Sequence, residues 1–142
     1  MNIVKRKLNI LKKRKIDKKI DSLFSWIKGA ELVELKSCNI TDDPVRPELD
    51  VIFRKSYGRK IFGVKYKKEI CAIMCFGFTD EVPSTVKELD LMTRDAYLRG
   101  VRGEQNIGQI AIAYTIWSKK KGGGKVIVKE VFKLMKKSNH LN

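Results

Sequence analysis

The residues best suited to chemistry lie in one stretch, Ser118-Lys119-Lys120-Lys121-Gly122-Gly123-Gly124-Lys125-Val126. It sits between a β-branched, aromatic run and an amphipathic helical pattern. A helix N-terminus carries unpaired backbone N–H groups and the positive end of the helix dipole, which together attract anions. Consecutive glycines let the backbone approach a bulky phosphate, and the lysines add charge. A strand, a glycine loop and a helix in this order suit a pyrophosphate. Two phosphate motifs are excluded. In a P-loop counted back from Gly124-Lys125, Lys119 falls where the first glycine belongs. Val126 falls where the magnesium-binding hydroxyl belongs, so that motif fails twice. A dinucleotide fingerprint needs G-x-G-x-x-G and an acid about 20 residues further on. The sequence reaches Asn142 before any such acid.

Lys119-x-x-Gly122-x-Gly124 resembles the Arg/Gln-x-x-Gly-x-Gly/Ala pyrophosphate loop of the GNAT superfamily of acyl-CoA N-acyltransferases. Lys119 departs from that pattern: it keeps positive charge but loses planar hydrogen bonding. The order of elements agrees, with an antiparallel hairpin, a further strand, the loop and a helix. Val45-Arg46-Pro47-Glu48-Leu49-Asp50 and Gly58-Arg59-Lys60-Ile61-Phe62-Gly63 also look like segments of phage-encoded acetyltransferases. The resemblance covers residues 31–142. It implies acetyl-CoA as co-substrate and an amine as acceptor. The coenzyme pyrophosphate would sit on Lys119, Lys120, Lys121, Gly122, Gly123, Gly124 and Lys125. The pantetheine arm would meet the backbone of Ala113, Tyr114, Thr115 and Ile116. GNAT domains continue past this helix with another strand, helix and hairpin, so the resemblance implies a chain truncated after the coenzyme-loop helix. An unpaired sheet edge would follow, a route to association between copies.

Direct transfer from thioester to amine requires a neutral amine, hence a base, and an acid for the leaving thiolate. Glu104, just before the coenzyme-binding strand, is the candidate base; the plainer reading is a solvated loop glutamate. Tyr114 is the second candidate catalytic residue, as one that lines the slot; the plainer reading is a core aromatic. Asp80 and Glu81 would attract a cationic amine or simply cap a loop. His140 is the sole histidine, which leaves no Ser-His or Cys-His pair for triad chemistry. Cys38, Cys71 and Cys75 are an odd set at irregular spacing and read as reduced thiols, with no metal site and a cytoplasmic location.

These residues need a scaffold, and the pattern predicts an α/β fold: a mostly antiparallel sheet with flanking helices, corresponding to the N-terminal half of a GNAT domain. Ile16, Ile20, Leu23, Phe24 and Ile27 fall at helical spacing before Gly29, so residues 1–29 read as a basic arm and an amphipathic helix. Residues 30–142 read as the domain. Strands are expected over 31–40, 60–66, 69–79 and 107–117, with Lys67-Lys68 as a hairpin turn. A short helix should open at 47–50. Another, with Val86, Leu89 and Met92 inward, should open at the capping box Thr85-x-x-Glu88. Residues 95–106 then read as a loop. A last helix is expected over 126–137, with Ile127, Val131, Leu134 and Met135 on one face.

The 142 residues carry 31 Lys+Arg against 16 Asp+Glu, a net charge of +15. No apolar run approaches the roughly 20 residues that cross a bilayer. Lysine outnumbers arginine, which suits general attraction to phosphates better than base-specific reading. A basic nucleic-acid-binding protein, using residues 5–19 and 119–125, is therefore the alternative from another functional class. Interleaved aromatics and RNP, KH or zinc patterns are missing from those lysine blocks.

Overall fold

The computed structural model describes residues 29–140. The arm and helix expected over 1–29 lie outside the described residues, apart from Gly29. Alternation of apolar side chains dictates the architecture. Strands β1 (Glu31–Leu35), β2 (Lys60–Tyr66), β3 (Glu69–Thr79) and β4 (Ile110–Ser118) form one sheet in the order β1-β2-β3-β4, every neighbour antiparallel. Helix α1 (Val51–Lys55) precedes β2, α2 (Val86–Val101) joins β3 to β4, and α3 (Gly123–His140) follows β4. The chain is thus α/β, with an antiparallel sheet and flanking helices.

Each sheet face has its own core. Phe62, Val64, Ala72, Met74, Phe76, Ala111 and Ala113 pack with Val126, Ile127, Val128 and Val131 of α3. Ile61, Ile73, Cys75, Ile112, Tyr114 and Trp117 pack on the other face with Leu49 and Leu89. Covering both faces makes β3 a nearly unbroken apolar run. The hairpin of β2 and β3 has the predicted bounds, turning through Lys67 and Lys68, both at positive φ (47° and 70°).

Elsewhere the boundaries move for identifiable reasons. The first strand stops at Leu35 rather than residue 40, where Asn39 caps a 3₁₀ turn, Ile40–Asp42. The short helix starts at Val51, because Asp50 is its N-cap: its carboxylate accepts the Phe53 N–H at 2.7 Å. Thr85 caps α2 as predicted, but Glu88 reaches back to the Ser84 N–H rather than to that of Thr85.

That helix is not short. It continues through most of the expected loop, burying Leu89, Thr93 and Ala96, while Val86 is exposed. Gly100 is accommodated inside it because a side chain there would press on Ile107 at 3.0 Å, and Gly103, at φ 96°, supplies the stop. The following strand starts at Ile110 rather than 107 and reaches Ser118. The last helix starts at Gly123, ahead of the expected 126, and Leu134 is 39% exposed rather than inward.

A buried ion pair ties the segment before α1 to the sheet. Arg54 and Asp43, both with fully buried side chains, meet at 2.8 Å. Burial pushes the Asp43 carboxyl up. Hydrogen bonds from the Thr115 hydroxyl, the Val45 and Arg46 N–H groups and the Arg54 guanidinium outweigh it and hold the carboxyl below its ordinary range. A depressed native pKa contributes stability above the unfolded value, which is lost as pH falls through the native value. Stability should therefore decline below about pH 4, and Asp43→Asn should flatten that slope in urea titrations. Asp43→Ala should cost about 3–5 kcal/mol at neutral pH, because it leaves Arg54 buried without its counter-charge. A loss below 1 kcal/mol would show that the guanidinium finds water instead.

Candidate functional site

The predicted site residues fall on β4, on the turn after it and on the first turn of α3. Between β3 and β4, Cys75 faces Thr115 while Phe76 faces Ala113, so Tyr114 is an extra residue in β4. This is a β-bulge. It resets the side-chain alternation: Ala111, Ala113 and Ile116 pack toward α3, whereas Ile112, Tyr114 and Trp117 pack toward α2. The Thr115 hydroxyl also bonds Asp43, at 2.7 Å. All four residues expected to meet a pantetheine arm, Ala113, Tyr114, Thr115 and Ile116, therefore surround the bulge. Among the described residues β4 pairs with β3 alone, which leaves its other edge without a strand partner.

Beyond Ser118 the turn is held from within. The Lys119 N–H bonds the Cys71 carbonyl at 2.8 Å, and its ammonium lies 3.1 Å from Asp42. Ser118 Oγ accepts the Lys120 N–H at 3.2 Å and lies against the Lys120 carbonyl. Lys120 Nζ sits 4.8 Å from the Tyr66 ring centroid. The Gly123 N–H is taken by the Lys120 carbonyl at 2.9 Å, and the helical bonding of α3 opens with Val126 N–H to Gly122 carbonyl at 3.2 Å. Within the described residues no acceptor meets the N–H groups of Lys121, Gly122, Gly124 or Lys125. Those four donors and the unpaired ammonium groups of Lys121 and Lys125 gather at the N-terminal end of α3, a kind of position that attracts anions.

The three glycines serve different ends. Gly122 turns the chain at φ 87°, where a side chain is strained. Gly123 lets α3 touch the sheet: a Cβ there would overlap Ser118 Oγ and lie 3.2 Å from both Ala72 Cβ and the Cys71 carbonyl. Gly124 meets neither demand, since its Cβ would approach only Ile116, at 4.0 Å. A helical glycine with room for alanine gives up about 1 kcal/mol. The fold offers no reason for a bare position at Gly124.

The acid and base candidates are placed less centrally. Glu104 is exposed in the turn after α2, its N–H bonded to the Arg99 carbonyl at 3.1 Å. The Tyr114 hydroxyl is buried on the α2 side without a hydrogen-bond partner among the described residues, and burial pushes its pKa up. At this strand it is the Tyr114 backbone, rather than the phenol, that stands at the bulge. Asp80 is engaged by Arg99 and by the Gly108 N–H, which hold its carboxyl below the usual range. Cys38, Cys71 and Cys75 are free thiols. Burial pushes the Cys75 thiol up to about 12 and also raises Cys38, so neither is a thiolate near neutrality. Among the described residues no cluster of three or more His, Cys, Asp or Glu could hold a metal ion.

Sequence reasoning missed the bulge and the Asp43–Arg54 pair. One residue carried a signal for both: Thr115, a hydroxyl within an otherwise apolar strand.

Neither a protein-family model nor a curated protein sequence matches the chain. Among solved structures, a malonyl-CoA decarboxylase from Cupriavidus metallidurans is similar, with a TM-score of 0.53 at 18% identity. The likeness takes in 88% of this chain and 32% of that one, so the chain spans about a third of the decarboxylase's length. At this identity the likeness concerns the fold.

The glycine assignments separate in unfolding experiments. Gly123→Ala should destabilise by about 1–3 kcal/mol through overpacking against Ser118 and Ala72. Gly124→Ala should be neutral, or stabilising by up to about 1 kcal/mol. Equal losses at both positions would mean that Gly124 is a structural glycine after all.

Proposed function

We propose that the chain binds the pyrophosphate of acetyl-CoA at the turn and first helical turn of residues 119–125, and serves as a GNAT-type N-acetyltransferase domain. One observation carries this reading: a bulged strand with an open edge runs directly into a helix N-terminus whose free donors surround an unexplained bare glycine. A coenzyme of this kind is a pyrophosphate joined to an amide-bearing arm. The arm needs strand-like backbone pairing, and the phosphates need N–H donors and positive charge. Here both sets of groups occur on consecutive residues. The fold likeness to a protein named for malonyl-CoA supports a CoA thioester as the ligand class.

In this mechanism the N–H groups of Lys121, Gly122, Gly124 and Lys125 hold the pyrophosphate, with the ammonium groups of Lys121 and Lys125 screening its charge. Lys119 contributes by holding the turn through Asp42 and the Cys71 carbonyl. The unpaired edge near Ala113, Tyr114, Thr115 and Ile116 aligns the arm, with the thioester close to the bulge. A neutral amine attacks the carbonyl carbon; the C–S bond breaks, and the thiolate leaves and takes up a proton. Glu104 is the nearest acid in sequence ahead of β4 and is the residue to test as base.

Calorimetric titration with acetyl-CoA should give saturable one-to-one binding. Gly124→Trp should weaken it at least tenfold by filling the open position, while Gly124→Ala should retain most of it. Absence of binding by a chain that circular dichroism shows to be folded would overturn the assignment of this turn to a CoA pyrophosphate.

A further inference from the structure

At the opposite end of β4 from the glycine turn lies a cavity of about 330 Å³. The nine residues of β4 set the two sites roughly 30 Å apart. The volume is at the small end of ligand-binding clefts. Its walls are the rings of Tyr57, Phe78 and Tyr97, and its floor includes Gly58, Gly100 and Gly108. These glycines bring the walls together: a side chain at Gly58 would meet the Tyr97 ring at 3.1 Å, and one at Gly108 would meet Phe78 at 3.4 Å. Tyr57 and Tyr97 meet edge to face with centroids 6.1 Å apart. Tyr57 holds φ 52°, a left-handed backbone that residues with side chains rarely adopt.

Arginines stand close to this cavity, and the exposed carboxylates of Glu81 and Glu104 lie on the segments beside it. No aspartate or glutamate is among the lining residues. Arg94 and Arg59 lie 5.2 and 5.5 Å from the Tyr57 ring centroid. Arg59 is buried, and its hydrogen bonds go to Thr93, Ser56 and the Asp90 carbonyl, all neutral acceptors. Arg94 and Arg102 are exposed and have no carboxylate partner among the described residues. The nearby acids Asp80 and Asp95 are both engaged by Arg99.

Aromatic walls with unpaired guanidinium groups suit a flat ring attached to an anion, and the net charge of +15 favours a polyanion. An apolar peptide would use the walls and leave the cations without a role. We propose that this cavity takes a base of single-stranded nucleic acid, stacked on the exposed Tyr97 ring, with a neighbouring phosphate on Arg94. Sequence-tolerant strand binding commonly combines aromatic stacking with a cationic track. This site is independent of the CoA assignment.

The test compares the full chain binding labelled oligo(dA), oligo(A) and an abasic strand of equal length. It is run at about 0.2 M salt, where contacts from lysine to phosphate are weakened. The base-bearing strands should bind about tenfold more tightly than the abasic strand. Tyr97→Ala should abolish that difference, and Tyr97→Phe should preserve it. Arg94→Ala should weaken all three strands together and lower the salt dependence. A preference for oligo(A) or oligo(dA) would identify RNA or DNA as the source of the base. Equal affinity for base-bearing and abasic strands, or a Tyr97→Ala variant that keeps the base preference, would overturn the proposal and leave the tyrosines to an apolar peptide.

Discussion

The Arg54–Asp43 pair is the constraint on which the arrangement of β4 depends. Arg54 is completely enclosed, and its donors are shared among the Leu49 carbonyl at 2.9 Å, the Arg46 carbonyl and Asp43 at 2.8 Å, and the Cys75 sulfur at 3.5 Å. Asp43 in turn receives Thr115 from the middle of β4. One ion pair therefore holds the irregular segment before α1, the central strand β3 and the bulged strand β4. Desolvating two charges offsets much of their attraction, so an apolar replacement of the same shape would be of similar stability. What an apolar replacement would lose is direction. A guanidinium with fixed donors admits one placement of residues 43–54 over the sheet, and Thr115 turns toward that placement.

The bulge follows from the same demand. A regular β4 would put Tyr114 and Thr115 on opposite faces. Here both serve the α2 side, Tyr114 by packing with Trp117 and Leu49, and Thr115 by reaching Asp43. The extra residue allows this while Ala111, Ala113 and Ile116 continue to pack toward α3. The cost is a local break in the ladder with β3, which reshapes the strand where its outer edge has no partner among the described residues. A structural need on one side of the strand thus prepares an irregular backbone on its free edge. Tyr114 shows the division clearly: its phenol is committed to the interior, and only its backbone remains for chemistry.

Much of this scaffold was legible in the sequence, and the exceptions share a cause. The bounds of β2 and β3 followed from alternation and an apolar run, which depend on local pattern. Thr85 announced its cap and Gly122 the turn, whereas Gly123 and Gly124 already belong to α3. Helix α2 was read too short because Thr93 and Ala96, its buried positions, are not conspicuously apolar, and because Gly100 looks like a stop. Its true role emerges only from Ile107, a residue beyond the helix. The turn into α3 was legible as a segment, but which of its donors stay free was not, because that depends on distant partners. Lys119 is occupied by Asp42 and Cys71, and Gly123 is explained by Ala72. Arg54 gave no local signal, since a buried arginine is defined by the carbonyls that surround it.

Three features of separate origin lie along β4. At its C-terminal end, donors and lysines that the fold does not consume gather at the start of α3. At its centre the backbone is broken by the bulge, and beyond its N-terminal end Tyr57, Phe78 and Tyr97 line an open cavity, with Arg94 against the Tyr57 ring. These features have separate structural origins: a helix terminus, an ion pair acting across the sheet, and close packing at glycines. None follows from another by folding necessity. Asp42, Asp43, Asp80, Asp90 and Asp95 are each engaged by a basic side chain. Lys121 and Lys125 at one end of β4, and Arg94 and Arg102 in and just after α2, have no such partner among the described residues.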